Sequence, residues 1–193
     1  MNKFIALLIL TFSTSLFSQN TEWTLDKTHS TIQFKVGYML ISNVVGNFKN
    51  FDGVFKSNGE NFDGSSVDFN IETASINTDN DKRDDHLRSD DFFESEKFPL
   101  ITFKSKSFKK VSDKKFKVTG DFTMRGVTKQ IDVDVTHTGT IKDNQGKTRA
   151  GFNVKTTVNR MDYGVNWSRT LDVGGLVVAD DVELDGNVIW IMK

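Results

Sequence analysis

The side chains between Arg83 and Arg88 carry the groups most able to act on a ligand. Arg83, Asp84, His86 and Arg88 lie close together in the run RDDHLR. Guanidinium groups bind phosphate oxygens in pairs and a helix start adds favourable dipoles, so Arg83, His86 and Arg88 could contact a polar or pyrophosphate head group. The alternative is structural: Arg83 and His86 would tie an insertion to the fold by hydrogen bonds, while Asp84 pairs with Arg88.

The same residues are poor candidates for catalysis or metal binding. His86 beside Asp84 has acid–base groups, but no serine elbow, cysteine nucleophile or diagnostic carboxylate pair accompanies them. A zinc site would need a second nearby histidine or a cysteine, and the chain contains no cysteine. The acids from Asp79 to Asp91 lack the order of an EF-hand calcium loop. These residues therefore give little support to catalysis, and no metal or cofactor is predicted.

The segment that carries these side chains does not alternate like the strands predicted on either side of it. Asp79-Asn80 offers a cap for a helix over residues 82–88. So short and polar a helix needs anchors, and Phe92-Phe93 is predicted to supply them. Pro99, the only proline, would stop the segment before the next strand. We therefore predict a short helical insertion around residues 80–93.

The rest of the chain alternates apolar and polar residues with the period of two that is typical of amphipathic strands, as in Thr31–Val36 and Ile131–Val135. Turn signals such as Asp143–Gly146 separate the runs. An antiparallel sheet without helices to cover it must close into a barrel or stack as a sandwich. We predict an all-β fold of about eight strands. His29 is expected in a turn, and His137, beside Thr136, is expected to face solvent.

The N-terminus has the features of a secretory signal peptide. Lys3 is followed by the apolar run Phe4–Leu10 and the small-residue run Ser13–Ser18. We expect cleavage after Ser18, which leaves one domain over residues 19–193 in the periplasm or outside the cell. The absence of cysteine excludes disulfides and a lipoprotein anchor. A net charge of −1 without a basic arm gives little reason to expect nucleic acid binding.

The predicted inner face is rich in aromatic side chains, because the chain contains 17 phenylalanines and many fall in the apolar register. An eight-stranded barrel either fills its interior with side chains or holds one small ligand. Small interior residues such as Gly120 are expected to leave space. The pattern alone favours an ordinary filled core over a cavity.

Four stretches resemble the YceI family of exported, lipocalin-like polyisoprenoid-binding proteins. The stretches are Trp23–Ser30 with its D-x-x-H-S, Val44–Gly53 with its V-x-G-x-F-x-x-F-x-G, Arg83–Phe93 and Gly120–Lys129. Their order and spacing match the family over nearly the entire mature chain. The run Phe34–Tyr38 departs from the family pattern F-x-V-[RK]-H at its last two positions, where it has Gly37 and Tyr38. This chain has Tyr38 where many members carry histidine, and the tyrosine hydroxyl could replace its hydrogen bond.

The resemblance implies a lipocalin-like barrel whose elongated apolar pore takes a long isoprenoid or quinone-type lipid, with the helical insertion near one mouth. It also implies isoprenoid-quinone handling and, in some genomes, a cytochrome b561-type membrane partner. The residues expected to line the pore are Phe34, Val36, Phe48, Phe69, Ile71, Phe103, Val118, Phe122, Met124 and Val133. The residues expected at the mouth or head group are Tyr38, Arg83, His86, Arg88, Phe92 and Phe93.

Other functions stay open. The chain could be a stress-linked periplasmic adaptor with a filled barrel, in which Asn166–Arg169 and Tyr163 anchor a protein partner. Alternatively, Trp167 covers one end of the barrel. An enzyme that acts on an isoprenoid lipid through Asp84 and His86 is the least favoured hypothesis. A homodimer through an exposed strand edge is a further hypothesis that no motif supports.

Overall fold

A computed structural model describes residues 20–59, 61–172 and 174–193, which form an antiparallel β-barrel with one short α-helix. The signal peptide predicted for residues 1–18 lies outside the described residues. No helix among the described residues is long and apolar enough to cross a membrane.

The described residues form eleven strands and one α-helix. Their bounds are β1 Asn20–Leu25, β2 Thr31–Tyr38, β3 Ser42–Phe48, β4 Phe51–Asn58, β5 Ser66–Glu72, β6 Ile76–Asn77, α1 Asp81–Arg88, β7 Leu100–Lys110, β8 Lys115–Met124, β9 Val127–Lys142, β10 Thr148–Asn159 and β11 Val178–Met192.

The sheet closes because β11 pairs with both β1 and β2. Its C-terminal part pairs with β1 and its N-terminal part with β2, so β1 and β2 are two halves of one interrupted strand. In the same way β3 and β4 pair with β2 and β1, and β5 and β6 pair with β4 and β3. From β7 to β11 each strand pairs with the next. The result is an eight-stranded barrel with neighbours in chain order, which confirms the predicted fold class.

The D-x-x-H-S motif shapes the break between β1 and β2. The Asp26 carboxylate accepts a hydrogen bond from His29 N at 3.3 Å, lies 3.0 Å from His29 Nδ1 and pairs with Arg149. Ser30 Oγ accepts a hydrogen bond from Ile189 N at 2.9 Å. Burial acts to raise the pKa of Asp26, but hydrogen bonds from His29 and Arg149 outweigh it and the pKa lies below its usual value. The motif therefore fastens the interrupted strand to β10 and β11.

Aromatic side chains fill one end of the barrel, which we call the closed end. Phe55 packs against Trp23, Phe62, Phe152 and Trp190 with ring centroids 5.6 to 6.2 Å apart. Trp23 Nε1 donates to Ser57 Oγ at 2.9 Å, so the buried indole N–H is satisfied. Phe62 comes from the β4–β5 connection and is 3% exposed. Its ring packs inside the closed end of the barrel, although its neighbours in the turn are polar.

His137 also lies at the closed end, and the prediction that it faces solvent is wrong. It continues the inward register of Ile131, Val133 and Val135 on β9, and its ring centroid lies 5.0 Å from that of Phe62 and 5.1 Å from that of Phe152. Burial lowers the pKa of His137 below its usual value. On this part of β9 the odd-numbered side chains point inward and the even-numbered ones point outward. His137 therefore points inward, although its neighbour Thr136 points outward.

Candidate functional site

A cavity of about 570 Å³ occupies the barrel above the aromatic closed end. It extends to the opposite end, which we call the mouth, where the exposed residues Tyr38, Ser42 and Asn43 line it. All the residues predicted for the pore face this cavity: Phe34, Val36, Phe48, Phe69, Ile71, Phe103, Val118, Phe122, Met124 and Val133. Their contact with a lipid stays a prediction.

The volume falls within the range of roughly 300–1,000 Å³ that is common for small-molecule sites. The wall is mostly aliphatic and aromatic, and its polar groups lie at the mouth apart from Lys155, Thr156 and Asp185 on β10 and β11. Lys155 and Asp185 pair with each other at 3.2 Å on an exposed surface. Such a cavity can bury an apolar chain and leave a polar group at the mouth.

Small valines rather than glycines create the free volume. Val118, Val133, Val154 and Val182 face the cavity from β8, β9, β10 and β11. The space at Gly120 is not empty: a Cβ there would lie 2.6 Å from Cζ of Phe103 and 2.5 Å from the backbone oxygen of Lys104. The expectation that Gly120 leaves room is therefore wrong, because the Phe103 ring fills that room.

The insertion at the mouth begins with a capped helix. The Asn80 side chain accepts a hydrogen bond from Arg83 N at 3.0 Å, so α1 begins one residue before the predicted start. Phe92 and Phe93 anchor the turns that follow: Phe92 packs on Trp167 at 5.3 Å and Phe93 on Phe48 at 6.1 Å between ring centroids. The insertion thus closes part of the mouth from above.

Asp84 is buried and holds the insertion to the strand end at Thr78. Its carboxylate accepts hydrogen bonds from Thr78 N at 2.9 Å and from Thr78 Oγ1 at 2.5 Å. The predicted pair between Asp84 and Arg88 is wrong, because Arg88 Nη2 donates to Asp85 Oδ1 at 2.6 Å. Asp84 faces the barrel, where the backbone N–H of Thr78 needs an acceptor. Asp85 is exposed, and Arg88 is half-buried and also donates to the Ile76 carbonyl at 3.4 Å.

Arg83 also binds Thr78 but keeps part of its guanidinium toward the cavity. Nε donates to Thr78 Oγ1 at 2.7 Å and Nη2 donates to the Thr78 carbonyl at 2.8 Å. Among the described residues, Nη1 of Arg83 donates to no protein acceptor. Arg83 lines the cavity, whereas Arg88 does not. The structure thus places one of the two predicted arginines where a ligand could reach it.

His86 lies on α1 and its ring contacts aromatic residues at the rim of the mouth. Its Nε2 is 2.8 Å from Asp91 Oδ2, and its ring meets Phe92 and Trp167 edge-on at 5.0 and 5.3 Å between centroids. These contacts fix the ring orientation. His86, Phe92, Phe93 and Tyr38 all line the cavity.

The β10–β11 connection supplies mouth residues that the sequence did not single out for this role. Arg160 lines the cavity, is 4% exposed and donates to the carbonyls of Val165 at 2.5 Å, Trp167 at 2.9 Å and Ala179 at 2.9 Å. Burial lowers the pKa of Arg160 from its usual value. Trp167 covers the rim, as one of the two hypotheses for it predicted. Local alternation carries no signal for these contacts, because they join distant parts of the chain.

Three further findings concern the adaptor hypothesis, the attachment of the insertion and metal binding. Tyr163, a suggested interface anchor, is 2% exposed and packs on Phe122 at 5.4 Å between centroids, so it cannot contact a partner. Arg125 donates to the carbonyls of Gly164 at 2.6 Å and Asp90 at 2.8 Å and so links the insertion to the β10–β11 connection. Within the described ranges, no group of three or more metal-ligating side chains is clustered.

The YceI-like domain family matches residues 23–189 of the chain. A UPF0312 protein of Staphylococcus aureus is 36% identical over 168 residues, which cover 86% of this chain and 95% of the relative. The crystal structure of a Campylobacter jejuni YCEI protein is 35% identical and superposes with a TM-score of 0.71, covering 88% of this chain and 97% of that one.

Two more distant solved structures share the architecture. BcnA of Burkholderia cenocepacia superposes with a TM-score of 0.75 at 22% identity and covers 86% of this chain and 98% of its own. A polyisoprenoid binding domain of Saccharophagus degradans superposes with a TM-score of 0.66 at 17% identity and covers 89% and 98%. At these identities the likeness shows the fold alone.

Proposed function

The chain belongs to the YceI-like domain family, and on that premise we propose that it is an exported binding protein that sequesters or carries a long-chain isoprenoid or quinone-type lipid. The observation that carries the proposal is the apolar cavity of about 570 Å³ that is closed by aromatic rings at one end and reaches the surface at the other. We propose a binding protein rather than an enzyme, located in the periplasm or secreted.

Burial of the apolar chain would provide most of the affinity. Each Å² of apolar surface removed from water contributes about 25 cal/mol. Phenylalanine, valine and isoleucine side chains make up most of the cavity wall, and the hydroxyl of Thr156 on that wall already donates to the Asp132 carbonyl at 2.8 Å. Affinity should therefore rise with the length of the chain until the chain reaches the closed end.

The orientation of the lipid follows from the position of the polar groups. Arg83, His86 and the Tyr38 hydroxyl line the mouth, and the closed end is aromatic. A lipid would enter with its tail first and leave its head group beside these three residues. Because Arg83 and His86 already bind protein groups, few donors remain to distinguish one head group from another.

The relatives support the cargo class without identifying it. The Saccharophagus degradans domain is described as polyisoprenoid binding, and its barrel superposes on this one. The exported location and an envelope membrane partner such as a cytochrome b561-type protein belong to the same proposal. Such a membrane partner would donate a carried quinone to this protein or accept it from it.

The proposal is tested by filling the cavity. Val133 faces the cavity, and Val133→Phe should lower uptake of a long-chain isoprenoid quinone by about tenfold or more, because the added ring occupies the volume that the chain needs. Val45→Phe is the matched control, since Val45 is 54% exposed on the barrel exterior. Urea unfolding of both variants checks that the barrel is intact. Equal uptake by two folded variants would contradict binding in the cavity.

A further inference from the structure

We propose that the turn between β2 and β3 inserts into the surface of a lipid bilayer and so brings the cavity mouth against the membrane. We call Met39, Leu40 and Ile41 the apolar tip. This inference rests on the proposed function, because a lipid that leaves or enters a bilayer needs the mouth to meet it. The tip borders the mouth directly, since Tyr38 and Ser42 on either side of it line the cavity.

The apolar tip is exposed to an unusual degree for a run of large apolar residues. Ile41 is 89% exposed, Leu40 71% and Met39 38%, and the adjoining Tyr38 is 39% exposed. Single exposed apolar side chains are normal on soluble proteins, but a contiguous exposed apolar patch marks an interaction site.

The apolar tip has a left-handed backbone conformation at Met39 and Leu40 that large apolar residues rarely adopt. Met39 and Leu40 have φ angles of 51° and 62°, and Ile41 N donates to the Tyr38 carbonyl at 3.3 Å. Residues 38–41 thus form a turn with positive φ angles at both central positions, and such turns strongly prefer Gly, Asn or Asp there. The apolar pair is thus not explained by turn formation, and its side chains point to a role outside the fold.

Charge is absent from the chain around the apolar tip. Residues 37–48 contain no charged side chain, although 26% of the whole chain is charged. Turns at the closed end, over residues 111–114 and 143–147, each contain acidic and basic residues. The two ends of the barrel therefore differ in the charge of their turns. The turns at the closed end are charged and compatible with water, whereas the turn at this part of the mouth is uncharged and compatible with the apolar interior of a bilayer.

The remaining groups at the mouth favour a bilayer over a strongly charged partner. Residues 79–94 hold seven acidic and three basic side chains, so attraction to anionic head groups is not the driving force. Tyr38 and Trp167 flank the opening, and such amphipathic aromatic residues are enriched at membrane–water interfaces. Shallow insertion of the apolar tip, with weak dependence on salt, fits this distribution.

The test is flotation of the protein, as recovered from its own cells, with vesicles of equal parts phosphatidylethanolamine and phosphatidylglycerol. Ile41→Asp should reduce the bound fraction by about tenfold or more, because insertion would bury a carboxylate instead of an isoleucine. Ile141→Asp is the matched control: Ile141 is 65% exposed at the closed end, and its variant should float like the wild type. Equal flotation of the two variants, or no flotation of the wild type, would overturn the proposal.

A second measurement separates this proposal from the proposed function. Ile41→Asp should take up an isoprenoid quinone normally from detergent solution but slowly from vesicles, whereas Ile141→Asp should be normal in both. Failure of every variant to take up the lipid from detergent would contradict the carrier function while leaving the flotation result intact. Self-association of the wild type that Ile41→Asp abolishes, without flotation, would assign the apolar tip to a contact between two copies and overturn membrane docking.

Discussion

Arg83 and Arg88 differ at the mouth in what they can offer a ligand. Arg83 lines the cavity and uses Nε and Nη2 on Thr78, while Arg88 lies outside the cavity and pairs with Asp85. Similar residues five positions apart thus have separate roles, which depend on the helix face that each occupies. The run RDDHLR does not distinguish these roles, because both arginines have the same chemistry.

This difference predicts the response to two alanine substitutions. Arg83→Ala should weaken binding of a pyrophosphate-bearing isoprenoid by about tenfold, because a charge-assisted hydrogen bond contributes roughly 1.5–3 kcal/mol. It should weaken binding of a neutral quinone much less. Arg88→Ala is the control and should change neither affinity. Competition binding with the two lipids measures both effects, and an equal loss of both lipids in Arg83→Ala would show that this arginine is only structural.

His137 predicts a pH dependence of stability. Burial against Phe62 and Phe152 lowers the pKa of His137, so the unfolded chain takes up a proton at a higher pH than the folded protein does. The free energy of unfolding should therefore fall as the pH drops below about 6.5 toward the lower pKa of the folded state, and this group should have no effect above that window. Lys110 and Lys114 act in the same direction as burial, while Asp113 opposes it.

Urea unfolding between about pH 8 and about pH 5 measures this dependence. His137→Gln removes the titrating group and keeps a polar side chain, so its stability should fall less over the window than that of the wild type. The same fall in both proteins would mean that His137 does not titrate differently on unfolding.

At the level of elements, one buried carboxylate ties the insertion to the strand end at Thr78. Asp84 is 3% exposed and accepts two hydrogen bonds from Thr78. Asp84→Asn should destabilise the protein by about 1–3 kcal/mol, because an amide presents a donor to groups that need an acceptor. Asp81→Asn on the exposed side of α1 should stay within about 0.5 kcal/mol of the wild type. Urea unfolding compares them, and equal stability would contradict the role assigned to Asp84.

The strands and the helix could be predicted because local periodicity determines them. β2 and β9 show strict alternation, and the Asn80 cap marks the start of α1. β3 and β4 were not among the alternating runs predicted as strands, and no local pattern predicted the breaks that divide β1 from β2 and β3 from β4. They depend on long-range contacts such as that of Asp26 with Arg149, which no local pattern reveals.

The candidate site was less predictable than the fold. Inward residues such as Val118 and Phe122 follow from alternation, so their place on the cavity wall could be predicted. Phe62 could not be placed and Trp167 was left with two alternative positions, because both lie in connections whose positions depend on tertiary packing. Whether the barrel is filled or hollow depends on the summed volumes of all inward side chains, and periodicity does not contain that sum.

For the whole molecule, the arrangement is asymmetric from end to end. The closed end is plugged by Phe55, Phe62 and Phe152, and the mouth combines a helical insertion, polar groups and the apolar tip. An asymmetric cavity of this kind gives a long ligand one direction of entry. That directionality underlies both the carrier function and the membrane docking proposed above.

The central claim is that the cavity holds a lipid in the cell, and native mass spectrometry of the protein purified from its own cell envelope tests it most directly. Denaturing extraction would then identify whatever is released. We expect a stoichiometric isoprenoid or quinone-type lipid, and the same preparation of Val133→Phe should lack it. A mass that corresponds to the protein alone, together with no uptake when such lipids are supplied, would contradict the account and favour the adaptor hypothesis.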